Sequence, residues 1–157
     1  MTFLRGARTP VYVAPQVKAI VDMLNDANPK FPVDYWFRPK DPNEKFEDPP
    51  YLLVRVYPSA DQMTGALSDT QTDTIIRVQL MAAGRTDLEA LNVLDWARIH
   101  MQRANLEPYL EDENRAVMDL RLMVSSAGTT RDDDLPTPMF VNSDLYELRT
   151  CRLTRNP

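Results

Sequence analysis

The sequence predicts a single-domain α+β protein in which a mixed, mainly antiparallel sheet of about four to five strands packs against two main helices. Its 157 residues suit one domain. Several apolar runs alternate with a period of two residues, whereas only two runs have helical spacing. Strands that follow one another beside only two helices favour an α+β sheet over a doubly wound one. We therefore expect residues 1–157 to form one domain with an N-terminal arm at residues 1–9.

The first predicted elements are a helix, a short strand and a proline-rich loop. Residues 10–27 predict the helix because apolar side chains recur at helical spacing: Val13, Val17, Ile20, Val21 and Leu24. Asn28 and Pro29 end it. Residues 31–37 form an aromatic, β-prone run that prolines confine to a few residues, so we expect a short strand. Residues 38–50 are polar and contain four prolines, which indicates a loop.

Two stronger strands follow, separated by a long polar segment. Residues 51–57 are apolar apart from Arg55 and end at a proline, as expected of a strand covered on much of both faces. Residues 73–81 alternate, which directs Ile76, Val78 and Leu80 to one face. The loop at residues 58–72 between them is unusually long for a compact domain, and such loops are usually functional.

The second helix begins with a capping box. Thr86 and Glu89 have the spacing in which a hydroxyl and a carboxylate satisfy backbone donors at a helix start. The predicted helix runs to about Ala104. Its apolar stripe comprises Leu88, Leu91, Leu94, Ala97 and Met101, widened by Val93 and Trp96, and its charged side chains, among them Asp95 and Arg98, are assigned mostly to solvent.

Two further strands complete the predicted sheet. Residues 117–125 alternate apolar and charged side chains, and residues 140–153 return to β-prone composition. Between them, residues 126–139 form a second long loop that contains Asp132, Asp133 and Asp134. No internal repeat is present.

Composition and charge exclude several classes of protein. The 23 acidic residues outnumber the 18 Lys and Arg residues, which argues against sequence-independent binding to nucleic acid or an anionic membrane. The net charge of residues 41–73 is −5, which equals the net charge of the whole chain. No apolar run is long enough to span a membrane, and the N-terminus lacks a signal-peptide pattern, so we expect a soluble, unsecreted protein.

The residues offer no catalytic constellation, and we expect a protein that is not an enzyme and needs no metal or cofactor. His100 is the only histidine and Cys151 the only cysteine. The consecutive carboxylates at 132–134 and 111–113 lack the spaced ligands of a calcium loop. No phosphate-binding glycine motif or nucleophile elbow is present. A small hydrolase that uses His100 or the acidic clusters stays as an alternative of a different class.

An ordered set of motifs resembles the tail terminator proteins of long-tailed bacteriophages with non-contractile tails. The set comprises Val56-Tyr57-Pro58 at a strand end, a long polar loop, Val78-Gln79 in the next strand, Gly84-Arg85-Thr86 at the start of the second helix with Asp95-Trp96-Ala97-Arg98 inside it, and Phe140-Val141 with Asp144-Leu145-Tyr146 in the last strand. The proline-rich insert at 38–50 and the acidic loop at 126–139 depart from the family pattern.

The resemblance implies a structural virion protein at the head-proximal end of the tail, assembled in the host cytoplasm. It would cap the finished tail tube as a homo-oligomeric ring, with six subunits as in the family, stop tube polymerisation and present a joining surface to the head's connector or neck protein. DNA would pass through the lumen without specific binding. No membrane partner is implied.

Ring closure needs a heterologous interface, and long loops and terminal arms are natural suppliers of one. The candidate residues for the oligomer or tube interface are Asp61, Met63, Leu67, Asp69 and Arg77; those of the second loop are Arg131, Asp132, Asp133 and Asp134; those of the N-terminal arm are Arg5 and Arg8. We expect charge reversal of Asp61 together with Asp69 to weaken assembly. The other interpretations are a head-completion or neck adaptor, which would bind portal-side proteins rather than the tube, and a small regulatory binding module.

Overall fold

The structure, a computed structural model, describes residues 13–58, 73–110, 116–124, 128–132 and 138–152. Within these ranges the chain forms two α-helices, six strands and one 3₁₀ turn at Glu107–Tyr109. The helices are α1 (Val13–Asp26) and α2 (Asp87–Gln102), and the strands are β1 (Val33–Tyr35), β2 (Tyr51–Pro58), β3 (Asp73–Gly84), β4 (Ala116–Val124), β5 (Thr130–Asp132) and β6 (Met139–Arg152).

The strands form one mixed sheet in the order β1-β2-β3-β6-β4. Only β1 and β2 are parallel, and every other pair is antiparallel. β3 pairs with one edge of β6 along almost the whole length of β6. The opposite edge of β6 is shared: β5 pairs with residues 139–141 and β4 with residues 145–152. The predicted single-domain α+β fold with a mainly antiparallel sheet is confirmed.

Both helices pack on the same face of the sheet. That face contributes alternate residues of β2, β3 and β6 to the main core, including Val54, Leu80 and Leu148. α1 adds Ile20 and Leu24, and α2 adds a set of small and branched residues. The opposite face, to which Arg55, Arg77 and Glu147 belong by register, carries a smaller apolar cluster at one end: Tyr51, Leu53, Ala83 and Met139.

The first helix ends as its sequence predicts. Asn28 adopts a left-handed conformation with φ of 53°, and its amide donates to the carbonyl of Asn25 at 3.1 Å. Asparagine tolerates this conformation better than most residues, which suits it to the position just after a helix. The aromatic run after it forms β1, but only over Val33–Tyr35, because the chain turns sharply at Trp36.

The capping box of α2 is present, but the Glu89 carboxylate accepts from the amide one residue before the usual one. The Thr86 hydroxyl accepts a hydrogen bond from the Glu89 amide at 3.1 Å, as predicted. The Glu89 carboxylate accepts from the amide of Arg85 at 3.0 Å, one residue before the N-cap. Two backbone donors at the helix start are therefore satisfied by side chains.

Replacing Thr86 with alanine is expected to lower the free energy of unfolding by about 1 kcal/mol, because one N-terminal amide loses its acceptor. Denaturant unfolding followed by circular dichroism measures this change. Thr86→Ser keeps the hydroxyl and should stay within a few tenths of a kcal/mol of the native chain. Equal losses in both variants would contradict the capping role.

Three sequence-based assignments need correction. The buried stripe of α2 comprises Ala90, Val93, Leu94, Ala97 and Met101. Leu88 is 68% exposed rather than part of it, because at 100° per residue it lies well away from Leu94 around the helix. The pattern predicts that Arg98 faces solvent, yet it pairs with a buried aspartate of β6. The second long loop contains the short strand β5, which pairs with the start of β6.

Candidate interaction surface

Arg77 is the one residue of the first candidate set that lies within the described ranges. It is exposed on β3, opposite Glu147 of β6 in the register. Both helices pack against the other face of the sheet, so Arg77 lies on the face that they leave open. Asp61, Met63, Leu67 and Asp69, like Arg5 and Arg8 of the arm, fall outside the described residues.

Arg131 and Asp132 are the members of the second-loop set that lie within the described ranges. Only the side chain of Arg131 is described. It is exposed on β5, and its guanidinium carbon lies 5.8 Å from the centre of the Phe140 ring, a cation–π distance. Asp132 ends β5 and pairs with Met139. Asp133 and Asp134 lie outside the described ranges. The structure brings Arg131 and Asp132 together on one short strand and keeps them apart from Arg77 on the sheet.

The sequence did not predict which aromatic side chains near β1 would be exposed. Phe37 is 74% exposed, Phe46 59% and Tyr35 44%. Arg38 and Lys40 both lie over the Phe46 ring, at 5.3 and 5.1 Å from its centre. The aromatic run at 31–37 predicts a short strand, but its pattern does not show which of its rings are exposed to solvent.

A tight turn at Trp36 separates Tyr35 from Phe37. Trp36 has φ of 66°, and the Phe37 amide donates to the Tyr35 carbonyl at 2.7 Å, which closes a tight three-residue turn. Such a turn is strained for a bulky residue. Arg55 supports it from β2, since its Nε donates to the Trp36 carbonyl at 3.3 Å and its guanidinium lies 5.8 Å from the indole ring centre.

Three backbone groups on the outer edge of β1 are already hydrogen-bonded within the chain. The Tyr35 amide donates to the Asp34 carboxylate at 2.7 Å, and the Val33 carbonyl accepts from the side-chain amide of Asn25 at 3.3 Å. The Tyr35 carbonyl is occupied by Phe37. Because an edge strand pairs with other chains through such backbone groups, these three bonds make strand addition at this edge less favourable.

The most constrained charged group is the pair formed by Arg98 of α2 and Asp144 of β6. Arg98 Nε donates to Asp144 Oδ2 at 2.6 Å and Nη2 to Oδ1 at 2.8 Å, which makes a two-point contact. The Asp144 side chain is fully buried, whereas Arg98 is 25% exposed. The hydrogen bond to Asp144 raises the pKa of Arg98. The pair fastens the second helix to the sheet.

Tyr146 lies two residues further along β6, on the same face. Burial raises its pKa to about 12, and the negative charge of Asp144 adds to the rise while Arg98 opposes it. Among the described residues, the Tyr146 hydroxyl has no hydrogen-bond partner. A buried hydroxyl without a partner costs free energy, and ionising it in that environment costs more.

Alkaline unfolding is expected to depend on Tyr146. Since its folded-state pKa lies above the unfolded value of about 10, its contribution is intact below pH 10 and is lost as the pH rises through about 12. Between pH 10 and 12, the free energy of unfolding of a Tyr146→Phe variant should fall by about 2 to 3 kcal/mol less than that of the native protein. At pH 7 the variant should be as stable as the native protein or more stable. Urea unfolding between pH 7 and 12 measures this. Parallel pH profiles for the two proteins would contradict it.

The His100 ring packs against aromatic side chains rather than against a cluster of acidic residues. Its ring centre lies 4.5 Å from that of Trp96, which in turn meets Phe31 edge-on at 5.1 Å. Cys151 lies near the end of β6, opposite Asp73 in the register. Within the described ranges, no group of three His, Cys, Asp or Glu side chains is arranged to hold a metal ion.

None of the described helices is long and apolar enough to cross a membrane. Comparison of the sequence with family models and with curated proteins returned no match.

Proposed function

We propose that this protein is a tail terminator of a phage with a long, non-contractile tail. It caps the finished tail tube as a ring, stops polymerisation and presents the surface to which the head's connector binds. The single observation that carries the proposal is the agreement between the family's motif order and the order of structural elements in this chain.

The motifs of the resemblance lie inside helices and strands of this chain or where one of them ends. Val56-Tyr57-Pro58 ends β2, and Val78-Gln79 lies in the middle of β3. Gly84-Arg85-Thr86 joins β3 to α2, with Thr86 as the N-cap. The last motif, Asp144-Leu145-Tyr146, lies in β6, whose Asp144 meets Arg98 of the α2 motif. Two motifs far apart in sequence thus contact each other in the core.

The described surface is suited to subunit contacts. Neither described helix packs on the face of the sheet that carries Arg77. Tyr35, Phe37 and Phe46 add large exposed aromatic side chains near β1. A head-completion or neck adaptor would need a similar surface, so that alternative is separated by its partner, a portal-side protein instead of the tube.

The test is polymerisation of the phage's own tail tube protein with and without this protein, with tube lengths measured by negative-stain electron microscopy. The proposal predicts shorter tubes bearing a ring at one end. Arg77→Glu should weaken capping, because reversing a charge at an interface opposes association, while Lys30→Glu, an equally simple reversal in an exposed loop, should not. Unchanged tube lengths at saturating protein would contradict the proposal.

A further inference from the structure

The last strand of the described sheet, β4, has an outer edge that no described strand covers. The strand order ends at β4, which pairs with β6 alone among the described strands. Its nine residues include no proline, glycine or lysine, whereas proteins commonly protect an exposed edge with proline, lysine or a very short strand. At the other end of the sheet, three backbone groups of β1 are already hydrogen-bonded within the chain. β4 is therefore the edge better suited to pairing with another chain.

The register of β4 separates its charged positions from its apolar ones. Leu120 lies opposite Leu148, a residue of the main core, so the even-numbered positions of residues 118–122 belong to the face that the helices cover. These positions hold a methionine and two leucines. Asp119 and Arg121 occupy the odd-numbered positions, which belong to the opposite face. The one irregularity of the register lies after position 122.

We propose that β4 pairs antiparallel with β4 of a second copy of this chain, with the two-fold axis at Leu120. This pairing places Asp119 opposite Arg121 of the second copy, and Arg121 opposite its Asp119. Opposite charges that face each other across an antiparallel ladder are stabilising, and like charges are destabilising. A two-fold contact closes on itself as a dimer. The inference therefore concerns the free protein and does not rest on the proposed function, whose ring needs other surfaces.

Charge selects this register among its neighbours. An axis at Asp119 would place that aspartate opposite itself, and an axis at Arg121 would do the same for the arginine. An axis between two residues would place a charged position of one copy opposite an apolar position of the other, since a slip of one residue exchanges the two faces. Among the registers with an axis from 119 to 121, only the one at Leu120 gives each charged position an opposite charge.

The charges of the sheet lead up to the same pairing. In the register, Arg77 of β3 lies opposite Glu147 of β6, which lies opposite Arg121 of β4. This row alternates in sign and ends on a positive position at the outer edge. The proposed pairing adds Asp119 of the second copy, followed by its Arg149. The alternation then continues through both copies, with no pair of like charges at the contact.

Sedimentation velocity of the full-length chain at increasing concentration tests the pairing. Asp119→Arg and Arg121→Glu each place two pairs of like charge in their own homodimer, which should weaken dimerisation roughly tenfold or more. In an equimolar mixture, the heterodimer of the two variants has opposite charges in both pairs, so association should recover. The reversed charges also meet like charges on β6. That effect is the same in the monomer and the heterodimer, so recovery on mixing reports a contact between copies.

The matched control is Arg77→Glu, which reverses a charge on the same face of the sheet, two strands away from the edge. It should dimerise like the native chain, although the proposed function expects it to weaken capping of the tail tube. The two proposals can therefore fail separately. Thermal unfolding of each variant checks that the fold is retained.

Cysteine cross-linking gives a second measurement that needs no charge reversal. In a Cys151→Ser background, Leu120→Cys places two thiols directly opposite each other, where Cα atoms lie about 4.5 to 5.5 Å apart, a separation that a disulfide spans. Met118→Cys is the control on the same face, because its two copies would lie about 13 Å apart along the strands. Mild oxidation should give a dimer several-fold faster for Leu120→Cys.

The proposal expects a native dimer, weaker association of each charge variant and recovery on mixing. A native chain that sediments as a monomer at every concentration would overturn it. Charge variants that associate like the native chain, or folded variants whose mixture stays monomeric, would place any dimer contact elsewhere and overturn it too. Equal rates of cross-linking at positions 118 and 120 would overturn the register.

Discussion

Replacing Arg98 with methionine is expected to lower the free energy of unfolding by about 3 to 5 kcal/mol, because it leaves a buried carboxylate without its cation. The Asp144 side chain is fully enclosed and receives two hydrogen bonds from Arg98, at 2.6 and 2.8 Å. The reverse change, Asp144→Asn, should cost less, since the partly exposed guanidinium can turn towards water. Thermal and urea unfolding measure both variants.

Two further variants distinguish a buried pair from a surface one. Asp95 also meets Arg98, at 3.2 Å, but its side chain is 64% exposed, so Asp95→Ala should cost no more than about 1 kcal/mol. The double change Arg98→Met with Asp144→Leu removes both charges and should restore much of the loss. If Asp95→Ala were as damaging as Arg98→Met, burial would not be the reason for the effect.

Gly84→Ala is expected to destabilise the protein by roughly 3 kcal/mol, the upper part of the range for overpacked sites. A Cβ atom at this position would lie 2.5 Å from the amide nitrogen of Ala90 and 2.8 Å from the carbonyl oxygen of Thr86. These two atoms form the first hydrogen bond of α2, at 3.2 Å. The added methyl group would therefore push β3 and α2 apart at their junction.

Gly128→Ala is the matched control for this change. Gly128 has φ of 89°, and a Cβ atom at this position would have no described atom within 4 Å, so the cost should be only that of backbone strain, about 1 kcal/mol. Denaturant midpoints of the two variants give the comparison. A smaller loss for Gly84→Ala than for Gly128→Ala would show that the junction has room for a side chain.

The elements of this fold could be predicted from the sequence because their signals are local. The alternation at 73–81 and the Thr86 capping box each act over a few residues, and both are present in β3 and α2. β5 was missed because Thr130–Asp132 has no apolar alternation and becomes a strand only by pairing with β6. Its formation depends on tertiary contact, which a local pattern does not contain.

The pairing of Arg98 with Asp144 could not be predicted for a related reason. The two residues are 46 positions apart in the sequence. A charged residue on a helix is predicted to face solvent unless the strand that packs against it is known. An available signal was the position of Asp144 on the same strand face as Tyr146 and Leu148, since an inward acid requires a partner. Similarly, the three-residue spacing of Leu88 and Leu91 suggested one stripe, but Leu88 lies about 120° around the helix from Leu94 and is exposed.

Termination of the tail tube is tested most directly by deleting this reading frame from the phage that carries it and measuring tail lengths in the lysate by negative-stain electron microscopy. The proposed function predicts overlong tails without heads. Tails of normal length beside unattached full heads would indicate the neck adaptor instead, and ordinary infectious particles would contradict a role in tail assembly altogether.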